Sequence, residues 1–498
     1  MSCEGAPVPS RPVFARRPTD RAPTTRRPPR ELDYTGVSQQ LQLDDHETTL
    51  ICTWVRTGFW LYPAAEKQLD VVVLELEDLG SSSRAALEQL RAEAATDFVI
   101  AQLCLKGGRV TATVAVDTAT WKPLALIVPV CGDIELTSYH AWSELVPGVP
   151  FAQKLVTDAS DGGRNVYTVR GGRAQDPTAG ALTQFRMPPA PLCPPDTFYA
   201  EYQPVPVPFW HSRSQHILVK PEINGVPIDG LMILDTGASG YVITREFADE
   251  MELEGFGELY VSGVTQKVKS QFRRAASVSI GGMTQESPLF MELPLDGVVN
   301  GAPERIVGIL GHDIFRRAVV EIPPLANQRA NAQLELILHH PEKFRPPEKC
   351  NWMDLQLVSN VPHVEAEFSS ASGREFKALF MLDSGAGGAG VMFHSRSQDE
   401  LDLVSEFCTG TNTINVRGVG GNAEGSKGEL EARRGVIPAL KLGPHDCTFK
   451  NVSTLIAVKG GLDLSLWTAG MICVDLLKGC KVIFDYPRGR VSLLTGRE

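Results

Sequence analysis

The sequence predicts a mainly β protein: two similar β-barrel lobes face each other across a pseudo-twofold cleft, behind a separate β-rich N-terminal domain. Three observations predict it. Short runs of β-branched and aromatic residues recur between glycine turns. The region from about 213 to the end repeats itself in order. A proline-punctuated stretch over 173–212 separates that repeat from what precedes it.

At 498 residues the chain exceeds one ordinary core. It is 43% hydrophobic and 21% charged, with a net charge of −11, which argues against a nucleic-acid or membrane-surface binder. The longest apolar run, "PLALIVPVC" at 123–131, is half a membrane span and reads as a buried strand. The ten cysteines are too sparse for a disulfide scaffold, and no Cys/His spacing suggests a metal; neither metal nor cofactor is expected.

Residues 1–44 form an expected disordered basic tail, because the first thirty hold seven arginines, seven prolines and two acids. The start lacks the apolar core of a secretory signal, which favours an intracellular protein; the basic tail also has the composition of a targeting segment. Residues 45–172 form an accessory β domain. "TTLICTWVRTGFWLY" (48–62), "LDVVVLEL" (69–76), "FVIAQLCL" (98–105), "RVTATVAVD" (109–117) and "PLALIVPV" (123–130) read as strands, and "SSRAALEQLRAEAA" (82–95) as a helix. Trp54, Trp60 and Trp142 read as core or strand-face residues of this domain. Residues 173–212 read as a linker packed extended on its neighbours.

Lobe 1 spans 213–338, a bridge 339–352, and lobe 2 353–498. "GVPIDGLMILDTGAS" (225–239) matches "GREFKALFMLDSGAG" (373–387), and "VSGVTQ" (261–266) matches "VRGVGG" (416–421). "RIVGILGHDIFRRAVVEI" (305–322) matches "LWTAGMICVDLLKGCKVIF" (466–484). The offsets drift slowly, from 148 between Asp235 and Asp383 to 162 between Asp313 and Asp475, as in a duplicated module with loop insertions.

An apolar run that ends in a lone carboxylate needs a partner, since a desolvated charge is expensive. Two lobes about a twofold axis supply one: Asp235 meets Asp383. Carboxylates about 3 Å apart share a proton and titrate as a pair. The ionised one takes a proton from water while the protonated one polarises a carbonyl, which suits peptide-bond hydrolysis by direct attack of water. Gly237 and Gly385 permit the tight turns, and the hydroxyls of Thr236 and Ser384 can bond across the axis. Ser262, Gly263 and Val264 in one copy, and Gly418, Val419 and Gly420 in the other, fit hairpin tips that close over a substrate.

"LDTGAS", the glycine-bearing hairpin and "GILGHDIF" together resemble the retropepsin-like aspartic proteases, over about 213–495. That resemblance implies catalytic roles for Asp235 and Asp383, flaps at Gly263 and Gly418, and a loop behind the first turn at Ile309, Leu310 and Gly311. Two copies in one chain resemble the pepsin arrangement with simpler lobes. A monomeric two-lobed aspartic endopeptidase acting on proteins or peptides is therefore expected, without nucleic acid or membrane span. Residues 114–142 are similar to the strand-rich domains, of the outer-membrane lipoprotein-carrier kind, that precede some bacterial aspartic proteases; this implies an accessory domain.

The second copy departs from the pattern. Cys473 stands where the first has Gly311, and Gly387 where it has Ser239. A side chain behind the turn would push Asp383 out of line, and extra glycines would loosen its loop. The alternative reading is thus a weak or inactive pseudoprotease that grips extended peptides in the cleft. Asp313 and Asp475 read as caps of short helices, not catalysts.

Overall fold

The computed structural model describes residues 30–32, 38–40, 43–61, 63–94, 97–130, 133–146, 149–159, 164–171, 191–200, 204–262, 267–417, 429–443, 447–459 and 465–495. Strands dominate. Within the expected tail, Arg30–Leu32 and Ser38–Gln40 pair as a small ribbon, and the remainder of 1–42 lies outside the described residues.

The N-terminal domain is a seven-stranded antiparallel meander running from Leu69–Leu74 to Arg164–Thr168. Its strands alternate between two cores, as period-two burial requires. Ala101, Leu103, Val114, Val116, Leu126 and Val128 face one side; Phe98, Ile100, Ala115, Ala125 and Ile127 face the other. The helix expected at 82–95 is present as Ser81–Ala94 and packs Leu87 into the second core.

The expected strand over 48–62 is instead a helix, α1, at Leu43–Arg56, followed by a short 3-10 turn at Phe59–Leu61. Its β-branched content misleads, because burial of one face outweighs intrinsic propensity. Ile51, Trp54 and Val55 have helical spacing and fill the first core, and Asp44 and Asp45 in the first turn suit the helix dipole. The expected linker also supplies two strands. Thr197–Tyr199 pairs with Met283–Glu286, and Val205–His211 pairs with Gln333–His339. Pro206 and Pro208 fit there because partner strand Ile217–Val219 reaches only residues 209–211, leaving the proline half an edge.

The two Asp-Thr/Ser-Gly turns sit in the same frame of strands. In the first, Leu231–Leu234 is wholly buried and pairs in parallel with Ile306–Leu310, which also pairs antiparallel with Tyr241–Ile243. In the second, Glu375–Asp383 pairs in parallel with Thr468–Cys473, which pairs antiparallel with Val391–Phe393. A six-strand antiparallel run joins the regions around the two turns: Val205–His211, Gln333–His339, Val319–Ile322, then Cys480–Asp485, Arg490–Thr495 and Trp352–Asp354. One hydrophobic core continues from Val207 to Leu493, past both turns. The sheet and core hold the two turns face to face within one chain.

Candidate active site

Asp235 and Asp383 each end a buried strand, and the turn glycine after each donates its N–H back to the carboxylate. Gly237 N–H to Asp235 Oδ1 is 2.7 Å, and Gly385 N–H to Asp383 Oδ1 is 2.8 Å. The carboxylates then cross. A Cβ on Gly237 would sit 2.7 Å from Asp383 Oδ1, and one on Gly385 would sit 2.5 Å from Asp235 Oδ1. Only glycine leaves room for each carboxylate to lie against the opposite turn.

The hydroxyls lock that arrangement. Thr236 Oγ1 donates to the Leu382 carbonyl at 2.8 Å, and Ser384 Oγ donates to the Leu234 carbonyl at 3.1 Å. In return, Thr236 N–H donates to Ser384 Oγ at 3.0 Å and Ser384 N–H to Thr236 Oγ1 at 2.9 Å. Both residues are buried, so every bond here is shielded from water.

Burial, then the like charge of Asp235, pushes the Asp383 carboxyl well up. Asp235 is also raised by burial, but hydrogen bonds from the Gly237 N–H, Asp383 and the Gly385 N–H favour its charged form. Two carboxyls both raised by burial and set against each other share one proton and titrate as a pair. Tyr486, stacked on Phe315, keeps a neutral phenol, since burial and both carboxylates disfavour the phenolate.

Cys473 and Gly387, where the sequence departs from Gly311 and Ser239, are both accommodated. At Gly311 a Cβ would strike the Gly240 carbonyl and lie 2.5 Å from the Ala238 carbonyl. Cys473 occupies the equivalent place with a different backbone: its ψ is 164°, against −142° at Gly311. The bond across the turn survives in both copies, His312 N–H to Ala238 O at 2.9 Å and Val474 N–H to Ala386 O at 3.0 Å. The expected displacement of Asp383 is absent. Gly387 is likewise no loose joint: the Ser214 carbonyl approaches so closely that a Cβ would lie 2.7 Å from it. In the first copy, Asn360 Nδ2 donates to the Ser239 carbonyl at 3.3 Å. The hairpin carrying Ser214 thus props the Asp383 turn, and the one carrying Asn360 props the Asp235 turn. Sequence reasoning missed both residues, since props from the opposite lobe leave no local pattern.

Asp313 and Asp475 are not caps; Gly311 and Cys473 hold the cap positions. Asp313 pairs with buried Arg317 at 3.1 Å, and Asp475 accepts the Gly388 N–H at 2.6 Å. Of the expected flap residues, Ser262 ends the strand Gly255–Ser262, which pairs with Lys267–Arg274. Gly263, Val264, Gly418, Val419 and Gly420 lie outside the described residues, between paired strands in both lobes. Among the described residues no cluster of three or more His, Cys, Asp or Glu could hold a metal ion. No described helix is long and apolar enough to cross a membrane.

No curated protein matches the chain. The crystal structure of Basic 7S globulin from soybean aligns with 59% of this chain and 96% of its own, at 10% identity and a TM-score of 0.37. Residues 219–314, the segment that holds the Asp235 turn and ends within His312–Arg317, match the aspartyl protease family model.

Proposed function

We propose that the chain is a single-chain aspartic endopeptidase whose dyad is Asp235 and Asp383. The crossed carboxylates, each seated on the other turn's glycine, carry the reading. Asp235, the readier to ionise, takes a proton from a water between the pair. The water oxygen attacks the peptide carbonyl carbon while Asp383 gives its proton to the carbonyl oxygen. Collapse of the resulting diol returns a proton to the leaving nitrogen and regenerates the shared-proton dyad. The flaps at 262–264 and 418–420 close over the substrate, and the two lobes are copies of one retropepsin-like module. The division at 45–172, 173–212, 213–338, 339–352 and 353–498 belongs to the same proposal, with the first lobe's sheet drawing on residues 205–211.

The rival is a pseudoprotease that binds extended peptides without cutting them. Near-equal turn hydrogen bonds at Asp235 and Asp383 favour the enzyme. The test is cleavage of a mixed peptide library across about pH 3 to 7, comparing wild type with Asp235→Asn and Asp383→Asn. Cleavage abolished by either substitution supports one shared dyad. A wild type inert at every pH, yet able to bind the peptides, overturns the enzyme reading.

A further inference from the structure

Helix α1 of the N-terminal domain reaches across to lobe 2 with three successive acidic contacts. Asp44 Oδ2 accepts the Leu466 N–H at 2.7 Å, and Asp45 Oδ2 accepts the Ser359 N–H at 3.0 Å. Glu47 Oε1 accepts the Trp467 indole N–H at 3.0 Å, while its Oε2 holds the Arg109 and Val110 N–H groups at 2.7 Å each. Arg109 donates to the Leu466 carbonyl at 2.5 Å and lies over the Trp467 ring, and Leu466 packs on the domain's core.

Both contacted segments lead directly to the dyad. Ser359 precedes Asn360, whose side chain holds the Ser239 carbonyl, four residues beyond Asp235. Leu466 lies two residues before Thr468–Cys473, the strand paired in parallel with the one ending at Asp383. In lobe 1 the corresponding hairpin and loop are tied internally, by the Asn300 N–H donating to Ser214 Oγ at 3.0 Å. In lobe 2 the acids of α1 supply the tie from another domain.

We propose that α1 is a positioning element of the active site, with Asp44 and Asp45 joining the Ser359–Asn360 hairpin to the Leu466–Trp467 loop so that both turns keep their register. The proposal rests on the endopeptidase reading for its kinetic arm only. It makes the N-terminal domain a working part of the site, not a removable cover.

The test uses the full chain and three variants: Asp45→Ala, Asp44→Ala/Asp45→Ala, and Asp45→Asn, whose amide oxygen still accepts the Ser359 N–H. Amide hydrogen exchange is followed at 359–360, 465–467 and 236–240, with 277–286 as a distant control. The expected result is faster exchange at the first three segments in the alanine variants, no change at the control, and recovery in Asp45→Asn. Peptide cleavage should then show kcat down about tenfold or more with KM nearly unchanged. Opening at 359–360 and 465–467 without any change at 236–240 or in kcat overturns the proposal, as does no opening at all. If wild type cuts no peptide, the endopeptidase reading fails, and the exchange at 236–240 still decides whether α1 positions the turns.

Discussion

Thr236 and Ser384 hold one another across the lobe interface: each backbone N–H donates to the other's hydroxyl, at 3.0 and 2.9 Å, although 148 residues separate them. The hydroxyls then donate onward to the carbonyls of Leu382 and Leu234. Four buried backbone groups thus depend on two small side chains. Thr236→Val keeps the shape and strands the Ser384 N–H and the Leu382 carbonyl. Each unpaired buried group costs about 1–3 kcal/mol, so a loss of at least about 2 kcal/mol is expected. Ser384→Ala should act similarly. The double variant should lose less than the sum: the two hydroxyls also touch each other at 3.4 Å, and loss of either already loosens the paired turns that the other supports. Urea midpoints of the four proteins measure this, and strict additivity would refute the lock.

Asp383 has a carboxyl pushed well above its ordinary value by burial and by Asp235. A raised acid stabilises the fold fully only below its unfolded value, and that stability is lost as pH rises through the folded one. At neutral pH the dyad is therefore a source of strain. Asp383→Asn should raise the urea midpoint at neutral pH, with a smaller gain near pH 3, where the wild-type pair carries less charge. The same substitution should lower peptide cleavage by at least about 100-fold. A midpoint that rises equally at both pH values would mean that charge is not the cause.

Gly387 admits the Ser214 carbonyl where a Cβ would lie 2.7 Å away. Gly387→Ser restores the residue of the first copy but forces the hairpin outward, with an expected loss of about 1–3 kcal/mol. Ser239→Gly, the reverse exchange in lobe 1, meets no such wall and should stay within about 1 kcal/mol. Chemical denaturation of the two variants checks the asymmetry. Equal effects would show that the glycine-rich loop is merely slack.

Much of this was legible beforehand, for a stated reason. The pairing of Asp235 with Asp383 follows from the repeat, because a twofold axis brings like elements together. The strands from 98 to 128 follow from alternating burial. What failed depended on tertiary context. Residues 48–62 carry β-branched and aromatic residues, yet fold as α1 because Ile51, Trp54 and Val55 fill one core. Pro206 and Pro208 read as linker, yet occupy a strand edge. Cys473 reads as disruptive, yet the Val474 N–H still bonds the Ala386 carbonyl, and nothing in the sequence announces the different ψ at that position. The contact between Asp44 and Leu466 spans 422 residues and depends on two domains already being folded.

Glu321 joins the two halves of the shared sheet through an acid-sensitive ion pair. It lies on Val319–Ile322, the lobe-1 strand that pairs with Cys480–Asp485 of lobe 2. Its carboxylate meets His339 Nε2 at 3.1 Å and Lys481 Nζ at 2.7 Å, so one acid ties its own lobe to the other. The hydrogen bond with His339, followed by that from Lys481, lowers its pKa from 4.5 to about 2. A depressed acid contributes stability above its unfolded value and loses it as pH falls through the folded one. The loss should fall between about pH 4.5 and 2, within the acidic range in which a shared-proton dyad would work. Glu321→Gln cannot titrate. Its melting temperature should lie below that of wild type at neutral pH and change less over the acid range, so that the two curves converge near pH 2. Parallel curves over that interval would show that the ion pair between Glu321, His339 and Lys481 does not govern how the two halves of the sheet stay joined.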